Sequence, residues 1–310
     1  MHGGHSHTHG HGAHAEHALR TSFDRTFAIA TLLNVAIVVI ELVYGYLANS
    51  MALVADAAHN ASDILALLLA WGAFRLGTRR PTSKRTYGFG SASVLAALVN
   101  AALLLVALGG IGIEAIRRLW QGAPVESGTV AWVALAAIVI NTATALLFWR
   151  GRERDLNIQG AFLHMATDAA VSAGVVVAAL LIGWTGWNWI DPAMSLLIVA
   201  VIFAGTWRLL TESVNLALHA VPSNVDRAAV ERYLGGLPGV VEVHDLHIWA
   251  LSTTQNALTA HLVRPGCGLD DGLIAEAADE LKAHFNIGHT TLQIECGEKP
   301  CDCALSRHAH

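Results

Sequence analysis

Six apolar segments fill most of the chain between residues 27 and 210, at 27–47, 51–74, 94–116, 129–149, 158–182 and 189–210. A helix rises 1.5 Å per residue, so about 20 residues cross the ~30 Å hydrocarbon core of a bilayer. Every segment meets that length. In lipid a helix keeps its backbone hydrogen bonds to itself, so the pattern predicts an α-helical membrane protein with six transmembrane helices. Charged residues make up only 14% of the chain, against about a quarter in ordinary soluble domains. The net charge of −5 gives a nucleic-acid partner nothing to bind.

The connections set an expected orientation. Residues 75–85 carry five basic side chains and residues 150–154 carry three, whereas 48–50 and 183–188 carry none. The positive-inside rule puts the basic loops in the cytosol, together with both termini. Arg117 and Arg118 run against this bias and are expected at the opposite interface. Trp120, Trp132, Trp149, Trp184, Trp187 and Trp189 lie near segment ends, where indole prefers the headgroup layer. The polar N-terminus has no basic start followed by an apolar core, so a cleaved signal peptide is not expected.

Several segments carry polar groups at membrane depth, where they are costly and face a bundle interior or a wet cavity. His59 lies four residues before Asp63, and His164 lies four before Asp168. On a helix each pair shares one face. Two such helices facing one another offer two imidazole nitrogens and two carboxylate oxygens, a set that suits tetrahedral Zn²⁺ and serves Mg²⁺ and Ca²⁺ poorly. Cd²⁺, Co²⁺ and Ni²⁺ remain open. The alternative use of these groups is interhelical hydrogen bonding; two pairs on two helices favour metal. Such ligands bind metal only when His is neutral and Asp ionised, so metal binding and proton uptake oppose each other. Asp56, three before His59, either supports the ligands from behind, lines the path from the cytosol or is structural. Asn34, Glu41, Asn100 and Asn141 read as helix–helix contacts.

After residue 211 the chain turns soluble in character. The order helix (225–234), strand (240–251), strand (256–263), helix (270–285), strand (290–295) predicts a small α+β layer with helices on one face of a three-stranded sheet. The expected division is 1–20, a disordered His-rich tail; 21–211, the membrane domain; 212–296, a cytosolic regulatory and dimerisation domain; and 297–310, a Cys/His tail. The first tail includes His5, His7, His9 and His11, which suit weak metal buffering. Cys301 and Cys303 offer soft auxiliary ligands. Cys267 and Cys296 are expected as buried small apolar residues in a reducing compartment.

In S-M-A-L-V-A-D-A-A-H-N-A-S-D at 50–63, H-M-A-T-D at 164–168, V-H-D-L-H-I-W at 243–249, A-H-L-V at 260–263 and T-L-Q-I-E at 291–295, the sequence resembles the cation diffusion facilitator family, in its zinc-transporter branch. The resemblance covers essentially the whole chain. It implies a homodimer in a plasma or inner membrane that exports Zn²⁺ from the cytosol in exchange for protons, by alternating access. The membrane site of that family maps onto His59, Asp63, His164 and Asp168. The cytosolic domain would be ferredoxin-like, or metallochaperone-like, with regulatory metal at His244, His261 and Glu295, joined by His289. Surface histidines on a sheet edge are the alternative.

Three features depart from the family pattern. Residues 77–93 contain no His, Asp, Glu or Cys, so a loop metal site found in some members should be missing. Ser91 and Ser93 stand where the family often has Arg and Glu, which leaves a loop salt bridge in doubt. The His-rich loop between the fourth and fifth helices is missing, and the N-terminal tail would substitute. Other readings are export of Cd²⁺, Co²⁺ or Ni²⁺, or a membrane metal sensor that does not transport. A membrane metalloenzyme would need a base beside the metal, as in H-E-x-x-H, and the membrane part has no such motif.

Overall fold

The computed structural model describes the backbone of residues 11–149, 156–266 and 270–297. His5, His7, His9, Cys267, Cys301 and Cys303 lie outside these residues, as does the side chain of His11. Six long helices come first: α1 (His11–Leu47), α2 (Met51–Gly77), α3 (Ala92–Gln121), α4 (Ser127–Phe148), α5 (Leu156–Thr185) and α6 (Ile190–Ala217). Each contains a stretch long and apolar enough to span a bilayer. Many of their large apolar side chains are exposed, among them Leu32, Trp71, Val106, Val139, Leu180 and Val201, which suits a lipid-facing surface.

The helices overrun the apolar windows. α1 begins at His11, so the backbone of 11–20 is helical where a disordered tail was expected. The run A-H-A-E-H-A-L-R at 13–20 is rich in good helix formers and joins the apolar segment without a breaker. α6 continues to Ala217, seven residues beyond its apolar window. It stops where His219 turns left-handed (φ 60°) and the Ala220 amide donates back to the Asn215 carbonyl, 2.9 Å. Pro222 follows, completing a common helix stop.

The chain forms two compact units, and α2 and α3 contribute to both. The first unit comprises Met1–Ile64 and Leu104–Ala204. Its core contains Met51, Leu53, Ile111, Val130, Val133, Val175 and Ile198 among small residues Ala48, Ala52, Ala55, Ala134 and Ala179. Small side chains let helices approach closely without a hydrophobic drive between them. At Gly45 an added Cβ would sit 3.0 Å from Val54 Cγ2 and 3.2 Å from Leu53 Cβ, so α1 and α2 cross there in tight contact.

One end of this unit is laced by polar bonds. Ser50 caps α2 by accepting from the Leu53 amide, 3.3 Å. The Asp191 carboxylate of α6 accepts from the Ser50 hydroxyl and from the Met51 amide, the latter at 2.7 Å. Arg118 Nη1 donates to the Asn49 carbonyl, 2.7 Å, and Glu114 accepts from both Arg117 and Arg118. The Glu126 amide reaches the Ala48 carbonyl at 3.0 Å, and the Val125 amide reaches Asn188 Oδ1 at 3.2 Å. The turn before α2 is therefore fastened to the connections before α4 and α6.

The second unit comprises Leu65–Leu103 and Gly205–His310. Its C-terminal part runs α7 (Arg227–Gly235), β1 (Glu242–Ala250), β2 (Asn256–Val263), α8 (Asp271–Phe285) and β3 (Ile287–Glu295). β1 pairs antiparallel with β2, and β2 pairs parallel with β3 across the α8 connection. Asp226 caps α7 and Asp270 caps α8. Val230, Leu234, Ile248, Leu258, Leu262, Leu281 and Ile287 form the core. This is the anticipated helix–strand–strand–helix–strand layer.

The compact units do not divide at residue 211, where the membrane domain was expected to end. The connection between α2 and α3 lies against the β1–β2 turn. Thr253 donates its amide to Ser93 Oγ, 3.0 Å, and Ser91 Oγ reaches the Leu251 carbonyl at 3.4 Å. A Cβ on Gly90 would meet that same carbonyl oxygen at 2.6 Å. The two serines thus make neutral hydrogen bonds to a backbone.

Candidate metal centres

Each His–Asp pair occupies one helical face, as i,i+4 spacing requires: His59 and Asp63 on α2, His164 and Asp168 on α5. The four side chains close a ring of alternating imidazole and carboxylate. His59 Nδ1 is 3.6 Å from Asp63 Oδ2, which is 3.4 Å from His164 Nε2. His164 Nε2 is 3.6 Å from Asp168 Oδ2, and Asp168 Oδ1 is 3.8 Å from His59 Nε2. The imidazole planes are nearly perpendicular, at 81°.

These spacings bear on the two uses weighed above. Interhelical hydrogen bonds would bring nitrogen and oxygen to about 2.7–3.2 Å, and all four contacts are longer. A tetrahedral Zn²⁺ about 2.1 Å from four donors needs all six donor pairs about 3.4 Å apart. Adjacent pairs of the quartet lie near that spacing, but no three of its residues bring one ligand atom each within 4.8 Å of one another, so the side chains must draw inward to share an ion. His59 Nδ1, Asp63 Oδ2 and both Asp168 oxygens have no hydrogen-bond partner, and Asp168 is only 1% exposed. His59 presents different nitrogens to the two carboxylates, so its ring must move for one nitrogen to serve a common ion.

Asp56 lies one turn from His59 on α2 and accepts from the Ser172 hydroxyl of α5 at 3.1 Å. Glu41 of α1 accepts from Asn60 at 3.4 Å. Asp56 and Glu41 thus tie helices around the quartet and donate nothing to it directly.

In the C-terminal domain, β-pairing sets His244 opposite His261, and His261 opposite Gln293. Glu295 lies two residues farther along β3, on the same face, within diagonal reach. His244 Nε2 is 3.1 Å from Glu295 Oε2, and His261 Nδ1 is 2.9 Å from Glu295 Oε1. Among the described residues this trio alone brings three ligand atoms within 4.8 Å of one another. Burial acts to raise the Glu295 carboxyl, but hydrogen bonds from His244 and Gln293 and the neighbouring imidazoles outweigh it. The carboxyl is held below the ordinary glutamate range.

His289 does not join the trio. It is exposed on β3 and meets Tyr87 edge-on, with ring centroids 5.5 Å apart. Strand parity puts residues 289 and 295 on one face, yet six residues at ~3.3 Å each separate them by about 20 Å. Asp245 is the residue that the sequence does not mark. A bulge between His244 and His247, with Asp245 at φ 49°, breaks the alternation of side chains. Asp245 Oδ1 lies 3.0 Å from His247 Nε2, and its Oδ2 lies 3.7 Å from His261 Nε2. No spacing rule announces a bulge. Cys296, expected buried, is exposed just beyond the end of β3.

Six helices long and apolar enough to span a bilayer, with a histidine–carboxylate cluster on two of them, followed by a domain with a second such cluster, define the class of multi-pass membrane proteins. The family profile described as the cation efflux transmembrane domain matches residues 27–216, and the profile of the cation efflux protein cytoplasmic domain matches 222–296. The chain belongs to the cation diffusion facilitator family, a transporter family. It is 36% identical to the metal cation efflux system protein CzcD of Cupriavidus metallidurans over 98% of this chain and 93% of that protein. It is 35% identical to the zinc transporter ZitB of Escherichia coli over 99% and 98%. Identity to a cadmium, cobalt and zinc/H(+)-K(+) antiporter of Bacillus subtilis is 32%, over 87% and 88%.

Proposed function

We propose that the chain is a secondary active transporter that moves Zn²⁺ out of the cytosol in exchange for protons. His59, Asp63, His164 and Asp168 form its transport site. The observation that carries this reading is the convergence of two imidazoles and two carboxylates from α2 and α5, with nitrogen–oxygen contacts of 3.4–3.8 Å that are too long for hydrogen bonds. Two ligands come from α2 and two from α5, so relative tilting of those helices opens or closes the site, as alternating access requires. Metal needs neutral imidazole and ionised carboxylate, so proton arrival expels the ion.

The resemblance and the names of the relatives support the rest of the reading. The protein acts as a homodimer in a plasma or inner membrane, with both termini cytosolic. His244, His261 and Glu295 bind regulatory zinc: three ligand atoms within 4.8 Å of one another would leave one position for water or a further ligand, and the hydrogen bonds that now join the imidazoles to Glu295 would give way to the ion. The His-rich N-terminus and Cys301 with Cys303 supply auxiliary binding. The second reading is a broader substrate range that includes Cd²⁺ and Co²⁺, favoured by the name of the Bacillus relative.

Purified protein in liposomes, acidic inside, is expected to accumulate zinc in proportion to the pH gradient, with Asp63→Ala and Asp168→Ala inactive. Uptake that persists in both variants would remove the quartet from the transport role. Competition by Cd²⁺, Co²⁺ and Ni²⁺ in the same assay separates the two readings.

A further inference from the structure

Two buried carboxylates are left over once the quartet is drawn. Glu41 on α1 is 0% exposed and Asp56 on α2 is 1% exposed. Each meets one neutral donor: Asn60 Nδ2 on Glu41 Oε2, and the Ser172 hydroxyl on Asp56 Oδ2. The second oxygen of each, Glu41 Oε1 and Asp56 Oδ1, has no hydrogen-bond partner. Each of those donors has an acidic residue one helical turn before it: Asp56 precedes Asn60 on α2, and Asp168 precedes Ser172 on α5.

A buried carboxylate with a bare oxygen and acidic neighbours is strongly disfavoured when ionised. Two things relieve it: a proton on the bare oxygen, or a dication nearby. Helical spacing links both carboxylates to the metal site. Asp56 and Asn60 share a face of α2, Asp168 and Ser172 share a face of α5, and Asp168 is itself a quartet member. A dication at the quartet therefore favours ionisation of Glu41 and Asp56. By linkage, protons on this pair weaken metal binding by the same factor.

We propose that Glu41 and Asp56 form a proton-holding station separate from the metal ligands. It takes up protons when the quartet is without metal and releases them to water when metal binds. An O–H bond forms on Glu41 Oε1 or Asp56 Oδ1, and the same bond breaks on release. This deepens the transport reading and rests on it, since it says where exchanged protons reside.

The test counts protons released per zinc bound, by calorimetry in buffers of different ionisation heat, on the full chain in detergent. A His261→Ala background removes the C-terminal site from the count. Glu41→Gln and Asp56→Asn are each expected to release up to about one proton fewer per zinc, and the double variant fewer still. Because Gln and Asn mimic the protonated carboxyls, zinc binding should weaken by about 5–150-fold. Glu41→Asp, which keeps a carboxyl, should restore the release. Proton counts equal to the parent's in all variants overturn the station and leave Glu41 and Asp56 as helix contacts. Complete loss of zinc binding in Glu41→Gln also overturns it, because it makes the residue part of the metal site. Zinc binding that survives Asp63→Asn fails the quartet itself, a separate outcome.

Discussion

Asp191, on the first turn of α6, binds the first turn of α2: its carboxylate accepts from the Ser50 hydroxyl and the Met51 amide. The helix that carries His59 and Asp63 thus takes its starting position from a residue 140 positions away along the chain. Removing the acceptor leaves buried donors unmet, which costs about 1–3 kcal/mol. Asp191→Ala should lower the melting temperature in detergent, and Asp191→Asn, which keeps one oxygen, should lower it less. Equal melting of Asp191→Ala and the parent would show that this bond holds nothing.

The quartet gives a prediction independent of transport. His164→Ala removes one of four donors and should weaken zinc binding more than the ~10–100-fold typical of losing an outer partner of a ligand. Equilibrium dialysis on the His261→Ala background reads it directly. Affinity within a few-fold of the parent would exclude His164 as a ligand.

The C-terminal trio should bind metal of its own. In the full chain, His244→Ala and His261→Ala are each expected to lose about one zinc equivalent, whereas His289→Ala should keep it. Loss in His289→Ala equal to that in His261→Ala would contradict the ~20 Å separation along β3.

Asp270 supplies a pH dependence whose sign is fixed. Its carboxyl accepts from the Leu273 amide and then from Arg264, and these bonds hold it below the usual aspartate range. A depressed carboxyl stabilises the fold fully above its unfolded value. That stability is lost as pH falls through the lower folded one. Acid titration of the C-terminal domain signal should show this loss. Asp270→Asn keeps a good cap and should flatten that part of the profile.

Gly90 offers a steric test. In Gly90→Ala the new methyl would meet the Leu251 carbonyl oxygen at 2.6 Å, a backbone atom that cannot rotate away. The cost should be about 1–3 kcal/mol, seen as faster proteolysis within 78–91. Ser93→Ala removes the acceptor of the Thr253 amide and the donor to the Gly90 carbonyl but adds no clash, and should be milder.

The helices, the strands and the quartet were legible because their signals are periodic and local. Apolar length gave α1 to α6, and i,i+4 spacing put each ligand pair on one face. Helix ends were less legible: the apolar window closes near residue 210, but α6 runs on to Ala217, until the left-handed His219 and then Pro222 end it. Long-range polar pairs were not legible at all. Ser50 is a recognisable cap, yet nothing near it in sequence names Asp191. Asp245 approaches His261 only because a bulge turns it there, and the resemblance that joined His289 to the trio carries no measure of distance along the strand.

Arg117 and Arg118 bear on how such chains orient during synthesis. Both guanidinium groups share the Glu114 carboxylate, three and four residues earlier on the same helix. Arg118 also covers the Asn49 carbonyl, at the electronegative end of α1. The triad sums to a single positive charge, and its ion pairs form as soon as α3 does. An insertion machinery that weighs flanking charge meets this helix end already half neutralised. Counting arginines in the sequence overstates their pull, and the pairing within α3 gives the size of the discount.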